Sequence, residues 1–325
     1  MATIWIERGL HPEAVALATG HTVRSPAPEI GQPGADLSGV HAIIVSNIPP
    51  INAEFLSRAP NLWVVARPGI GIDNVVVEDC TAAGVLVVHT PEAPTESTAE
   101  HAVSLVFATA RRLKIADQGL RSEGWGTNRQ PMQGVELRGK TLGLVGLGRI
   151  GGRVAHIMGA GVGMRVVAFD PYTTPERAAA LGVELLPSLA DVMRQADIVS
   201  VHCPLLPSTR GLVSREMLAL LKPGAILVNA ARGPIVDETA LIDALQSGRL
   251  AGAGLDVFDP EPALPGNPLF DMPQVIVTPH IASFTPDAMR MMGVGIMEET
   301  LTVLSGQRPR WLVNPEAWPG RGLRV

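Results

Sequence analysis

Short apolar runs of four or five residues, rich in valine, isoleucine and leucine, alternate along this chain with longer alanine-rich stretches. Runs of the first kind are strands buried on both faces and stretches of the second kind are helices laid over them, which predicts parallel sheets covered by helices on both sides. The first block contains TIWIE, HTVRS, AIIVS, LWVVARPG and VLVVHTP, which predicts a small open sheet of five strands. A second series, TLGLVGLG, RVVAFDP, VELLP, DIVSVHCP, AILVNAAR, AGLDVF and VIVTPHI, predicts a doubly wound sheet of seven. Between the blocks, STAEHAVSLVFATARRLKIADQGL places Ala102, Leu105, Val106, Thr109 and Leu113 on one face of a long connecting helix. After residue 286, PDAMRMMGVGIMEETLTVLSG predicts another helix, ended at Gly306.

Composition narrows the classes. With 325 residues, 46% of them hydrophobic, the chain exceeds the size at which one core stops growing, and two domains are expected. A formal charge of -5 leaves no basic surplus, so neither nucleic acid nor an anionic membrane is an expected partner. Two cysteines, Cys80 and Cys203, are too few for a disulfide framework and lack the paired spacing of a metal site, so no metal is expected and a reducing compartment fits. The opening MATIWIERGL has no basic region followed by an apolar stretch, and no window offers the roughly 18 apolar residues of a membrane span. A soluble, cytoplasmic protein is expected.

A lone G-x-G-x-x-G is weak in a chain with 34 glycines, so its surroundings matter. In TLGLVGLGRIGG a strand precedes Gly146 and a helical run follows Gly151, the context a dinucleotide site requires. Gly146 permits the tight turn, Gly148 lets the backbone approach a pyrophosphate, and Gly151 lets helix lie close to strand. Free amides at the helix start then face phosphate. Asp170 ends the next strand, where its carboxylate can accept both adenosine ribose hydroxyls and repel a 2′-phosphate. No arginine directly follows Asp170, so NAD is expected over NADP.

Three polar residues follow later strands. Arg232 lies just past AILVNA, before a Gly-Pro pair; Glu261 stands in the Pro-bounded loop DPEP; His280 follows VIVTP. Hydride transfer between nicotinamide and a hydroxy acid needs a guanidinium to hold the carboxylate or polarise the C2 oxygen, and a group that exchanges the hydroxyl proton near neutral pH. Arg232 suits the first task and His280 the second, with Glu261 beside the imidazole fixing its tautomer. His202, in VSVHCP, also ends a strand and competes with His280 on residue type alone.

These motifs carry a resemblance. The chain resembles the D-isomer-specific 2-hydroxyacid dehydrogenases, a family that includes phosphoglycerate dehydrogenases and glyoxylate/hydroxypyruvate reductases, through ARPGIGIDNV, HTPEAPTESTAEHAV, GLVGLGRIG, VHCPLLPSTRGLV, LVNAARGPIVDE, GLDVFDPEP and TPHIASFT, all in the family's order. The resemblance implies a Rossmann NAD-binding domain, residues 100–286, inserted in a smaller flavodoxin-like substrate domain made of residues 1–99 and 287–325. It implies Arg232, Glu261 and His280 as the catalytic set, with His280 rather than His202 as the proton carrier. For the cofactor it implies Gly146, Gly148, Arg149, Ile150 and Gly151 near the pyrophosphate and Asp170 and Pro171 at the ribose. His202, Cys203, Pro204 and Thr209 form the cofactor loop, and Ala230, Ala231, Arg232, Asp256, His280 and Ser283 lie toward the nicotinamide. For the substrate it implies Arg67, Pro68, Gly69, Ile70 and Gly71 beside Arg232 and His280, with amides of Gly69 to Gly71 donating to the carboxylate. It also implies a homodimer through the nucleotide domain.

Some positions depart from the family. The loop after the third strand reads SNIPPI, with Ser46 and Asn47 where the phosphoglycerate branch often places an arginine for the substrate phosphate, although Arg67 offers a second basic group. Ala282 and Ser283 stand where glycines are common. The chain stops at Val325, so the appended regulatory domains of many phosphoglycerate enzymes, and feedback control by serine, are not expected. The expected function is NAD-dependent hydride transfer at C2 of a small D-2-hydroxy acid or its keto form, of the glyoxylate, hydroxypyruvate or 3-phosphoglycerate type. The alternative is an NAD(H)-sensing dimeric scaffold resembling a corepressor, without significant turnover.

Overall fold

Strands with no exposed face need apolar side chains on both sides, and that is what the runs supply. In the computed structural model, which describes residues 1–32, 34–46 and 49–318, each apolar run forms a strand. These are β1 Thr3–Ile6, β2 Thr22–Arg24, β3 Ala42–Ile44, β4 Val64–Arg67, β5 Leu86–His89, β6 Thr141–Val145, β7 Arg165–Phe169, β8 Glu184–Leu185, β9 Ile198–Val201, β10 Ala225–Asn229, β11 Leu250–Leu255 and β12 Val275–Val277. The two expected sheets are both present and wholly parallel. Asn47, singled out in the sequence, lies outside the described residues.

The chain divides into two compact units, Met1–Pro94 with Phe284–Val325 and Thr95–Ser283. In the smaller unit the strand order is β2-β1-β3-β4-β5, the flavodoxin-like order. Alternate residues of its strands enter opposite cores: Ile43, Val65 and Val87 face one side, and Ala42, Val64 and Leu86 the other. The helix Pro286–Leu304 closes the second side with Ile296, Met297 and Val303. Its C-terminal end falls where the sequence suggests. Thr285 Oγ1 accepts the Ala288 amide at 3.2 Å, Pro286 occupies the first turn, and Gly306 follows the last turn at φ +77°.

In the larger unit the order is β12-β11-β10-β9-β6-β7-β8. Counted from β6, this is a Rossmann sheet with a seventh strand added at one edge. Leu227 and Val199 pack on one face, Val228 and Ile198 on the other. The helix Thr95–Ala110 buries Ala102, Leu105, Val106 and Thr109 against the second face, as the periodicity predicts. The same prediction fails for Leu113. Arg112 takes a left-handed φ of +52°, the helix stops at Ala110, and a new one, Leu113–Glu123, begins with Leu113 53% exposed. Arginine there carries none of the glycine or proline signals that mark a break.

Candidate active site

Because all seven strands of the larger unit run the same way, the loops at their carboxyl ends share one edge of the sheet. The chain leaves β6 outward through β7 and β8, then returns with β9 on the other side. The crevice at that reversal, between β6 and β9, is where open α/β sheets bind ligands.

The glycine loop is built for this crevice. Gly146 has φ +99°, and a Cβ there would lie 2.8 Å from the Cys203 amide nitrogen, so the β6 and β9 loops touch backbone to backbone. A Cβ on Gly151 would stand 2.3 Å from the Gly146 carbonyl oxygen, which keeps Gly151 buried as a packing residue beneath the turn. Gly148 caps the helix Arg149–His156, and a Cβ there would meet nothing within 4 Å. Gly148 and Arg149 are exposed and Ile150 is half-buried, so the helix's first amides open toward solvent at the crevice. Asp170 follows β7; its Oδ2 accepts from the Leu147 amide at 2.7 Å and its Oδ1 from Tyr172 at 2.8 Å. Those bonds orient the carboxylate and leave each oxygen a further lone pair. Pro171 beside it is exposed. The donor set fits a dinucleotide: helix amides for a pyrophosphate and an oriented carboxylate for vicinal hydroxyls.

The β9 loop contributes neutral groups. Burial pushes the His202 imidazole down to about 4, and its Nε2 lies 2.8 Å from Ser200 Oγ. An imidazole that stays neutral at pH 7 is poorly suited to deliver a proton in reduction. Burial likewise pushes the Cys203 thiol up to about 11. Thr209 Oγ1 donates to the Pro204 carbonyl at 2.6 Å and accepts from the Leu206 amide at 2.7 Å, so it closes its own loop.

The catalytic candidates come from the next three strand ends. After β10, buried Asn229 turns the chain, with Oδ1 accepting from the Ala231 amide at 3.0 Å and Nδ2 donating to the Arg232 carbonyl at 2.9 Å. Ala230 is buried, Ala231 and Arg232 half-buried, and Arg232 Nη1 donates to the Ala231 carbonyl at 2.7 Å. After β11, Glu261 Oε1 accepts from the Phe258 amide at 3.1 Å. After β12, His280 Nδ1 lies 2.8 Å from Glu261 Oε2, both side chains about one-third exposed. Burial works against ionisation of Glu261, but the hydrogen bond and charge of His280, the Phe258 amide and the charge of Arg232 together hold its carboxyl below the usual range. An ionised carboxylate only accepts, so the proton between the two side chains sits on His280 Nδ1 and the ring's Nε2 is left for exchange. Arg232, Glu261 and His280, widely separated in sequence, are thus gathered at one place.

Asp256 corrects an expectation. Its side chain is 0% exposed, and its oxygens accept from Thr278 Oγ1 at 2.6 Å, the Ile281 amide at 2.9 Å and the Ala282 amide at 2.8 Å. A fully enclosed carboxylate cannot touch a cofactor; Asp256 instead ties down the segment that carries His280. Although burial opposes its charge, His101, Thr278 and the two amides hold its carboxyl below the usual range. Ser283, half-buried, ends this segment. His101 and Thr278 are residues that sequence reasoning missed, although His101 carried a signal: it falls three positions after Thr98 and four before Leu105, on the stripe its helix buries.

In the smaller unit the loop Pro68–Gly71 follows β4. Gly69 has φ +104°, and its amide donates to Thr90 Oγ1 at 2.7 Å. That corrects the expectation for Gly69, whose donor is spent. Among the described residues the Ile70 and Gly71 amides donate to no protein acceptor. Arg67 is 5% exposed with Nη1 on the Val45 carbonyl at 3.1 Å, so the expected second basic group is enclosed rather than presented. Ser46 donates through both its amide, at 2.6 Å, and its hydroxyl, at 2.7 Å, to Glu7 Oε2, a carboxylate the sequence reading did not single out.

Among the described residues no group of three or more His, Cys, Asp or Glu side chains could hold a metal ion, and no helix is long and apolar enough to cross a membrane.

The family model described as D-isomer specific 2-hydroxyacid dehydrogenase, NAD binding domain, matches residues 103–282. The chain is 48% identical over 266 residues to D-3-phosphoglycerate dehydrogenase of Mycobacterium tuberculosis, covering 82% of this chain and 49% of that protein. It is 43% identical over 271 residues to glyoxylate reductase of Aeropyrum pernix, covering 82% and 80%. The chain thus spans about half the length of the phosphoglycerate dehydrogenases it matches. Its fold superimposes with a TM-score of 0.86 on an NADPH-dependent glyoxylate/hydroxypyruvate reductase from Sinorhizobium meliloti solved with NADP and malonate, at 32% identity and 97% coverage of both chains.

Proposed function

The chain belongs to the D-isomer specific 2-hydroxyacid dehydrogenase family, and from that premise we propose that it moves a hydride between a nicotinamide cofactor and C2 of a small D-2-hydroxy acid or 2-keto acid. The observation that carries the reading is the 2.8 Å pair of His280 Nδ1 and Glu261 Oε2 under the charge of Arg232, on the sheet edge that also bears the glycine loop. A nicotinamide held there would supply or receive the hydride. Glu261 holds the Nδ1 proton of His280, so Nε2 delivers a proton to the C2 oxygen in reduction and takes it in oxidation. Arg232, through its guanidinium fork, orients the substrate carboxylate or polarises the C2 oxygen. In the smaller unit, Ile70 and Gly71 hold the amides available to a carboxylate. The amides of Arg149 and Ile150 would hold the cofactor's pyrophosphate, and the Asp170 carboxylate would take its ribose hydroxyls.

Glyoxylate, hydroxypyruvate and phosphohydroxypyruvate are the candidate substrates, in keeping with relatives that are glyoxylate reductases and phosphoglycerate dehydrogenases. The preferred cofactor is NAD, because the Asp170 carboxylate repels a 2′-phosphate. The test is NADH and NADPH consumption with a panel of 2-keto acids, phosphorylated and branched ones included. Turnover is expected with at least one acid, with kcat/KM at least about tenfold higher for NADH, roughly 1.4 kcal/mol. Tight NADH binding without turnover on any acid would instead support an NAD-sensing scaffold, and a preference for NADPH would sink the role given to Asp170.

The larger unit is proposed to pair with a second copy of itself. The helix Leu113–Glu123 buries none of its residues, and Leu113, Leu120 and the neighbouring Trp125 are 53%, 49% and 80% exposed. Apolar surface of this kind on an amphipathic helix marks a contact face. Leu120→Arg is expected to shift the protein from dimer to monomer in sedimentation velocity; a wild-type protein that sediments as a monomer refutes the assignment.

A further inference from the structure

The hydrogen bonds behind His280 have a single consistent direction. Thr278 Oγ1 lies 2.6 Å from Asp256 Oδ1, and a carboxylate that accepts two amides as well has no proton to offer, so the threonine hydroxyl donates to it. The remaining lone pair of that hydroxyl faces His101 Nε2 at 3.0 Å, which makes His101 the donor there. His101 Nε2 is also 3.5 Å from Asp256 Oδ1, and its side chain is 21% exposed. The Ile281 amide donates to that same oxygen and the Ala282 amide to Oδ2, and the His280 amide donates to the Asp256 carbonyl at 2.7 Å. The chain from His101 therefore reaches both flanks of His280.

That residue needs holding. His280 has φ +54°, in the left-handed region that a side chain with a Cβ occupies only when its surroundings impose it. Its imidazole meets Glu261 Oε2 at 2.8 Å. We propose that His101 is a positioning residue for His280: by donating Nε2–H to Thr278 it fixes the hydroxyl and the Asp256 carboxylate, and through them the left-handed turn that aims the catalytic ring. The inference rests on the reading of His280 as proton carrier. It also gives a reason for a histidine on the buried stripe of the helix Thr95–Ala110, where apolar or small side chains otherwise stand.

The test compares His101→Leu, His101→Gln and Thr278→Val in the full chain. It follows kcat, KM, NADH affinity, the thermal midpoint and the nitrogen resonances of the labelled His280 ring. Leucine at 101 is expected to lower kcat about tenfold, the scale of a small misplacement of a reacting group. KM and NADH affinity are expected to stay within about twofold, because ground-state binding is untouched. The His280 ring resonances are expected to move in the same variant. Glutamine, whose amide presents an N–H donor near the position of Nε2, is expected to restore both kcat and the resonances, and Thr278→Val to repeat the leucine signature. Wild-type kcat with unmoved His280 resonances in folded His101→Leu overturns the proposal. So does a His101→Gln protein that folds and loses as much as the leucine variant, or a loss confined to the thermal midpoint. If His101→Leu fails to fold, the glutamine and Thr278→Val proteins decide the matter by the same criteria. If the wild-type chain turns over no keto acid, the functional reading falls, while the resonances still decide whether His101 holds His280.

Discussion

His280→Ala is expected to lower kcat about 10³-fold, within the range that general acid–base catalysis supplies, while NADH binds within about twofold of the wild-type affinity. The imidazole is held at 2.8 Å by Glu261 through Nδ1, so the ring has one nitrogen left for the C2 oxygen. His202 is not a substitute, because burial keeps it neutral down to about pH 4 and it is bonded to Ser200. Steady-state rates alongside fluorescence titration with NADH separate the two quantities. Retained turnover in the variant rejects the role given to His280, and lost NADH affinity moves that role from chemistry to binding.

The second large effect is expected at Gly233, which no chemistry singles out. A Cβ there would stand 1.9 Å from the carbonyl oxygen of Phe258 and 2.0 Å from its carbonyl carbon. These are backbone atoms and cannot swing aside as a side chain would. Gly233 adjoins Arg232, and Phe258 donates its amide to Glu261, so the contact locks the arginine loop against the glutamate loop. Gly233→Ala must push one loop off the other, at an expected cost of about 3 kcal/mol, the upper part of the usual range for overpacking. Because the displaced loops carry Arg232 and Glu261, kcat is expected to fall at least about tenfold as well. Urea unfolding and steady-state kinetics on the same sample check both. A variant with the wild-type midpoint and rate shows that the two loops do not meet so closely.

Much of this molecule could be read before its coordinates. Strands buried on both faces must be continuous apolar runs, so the central strands of both sheets stand out in the sequence, the exposed edge strands β2 and β8 appear as shorter runs, and the parallel topology follows from their alternation with helices. The glycine loop is legible for a related reason: a backbone that must turn at φ +99° against another backbone leaves little choice of residue at 146. Arg232, Glu261 and His280 are legible as residue types at strand ends. The break at Arg112 is not, because a left-handed arginine is imposed by its surroundings and carries no local signal.

What the chain determined by itself is therefore where its strands lie and which reactive groups end them, since burial and turn geometry act on neighbouring residues. What only the tertiary structure decided is which way the polar groups face. Asp256 could have met a ligand, yet it is enclosed by bonds from residues 22 to 26 positions away. The Gly69 amide could have bound a substrate, yet Thr90 occupies it from 21 positions away. His101 lies on the buried stripe of its helix, yet its partner, Thr278 Oγ1 at 3.0 Å, stands 177 positions on. A buried polar atom takes whichever partner the folded chain brings within about 3 Å, and that distance is set by packing between remote segments rather than by anything written beside the residue.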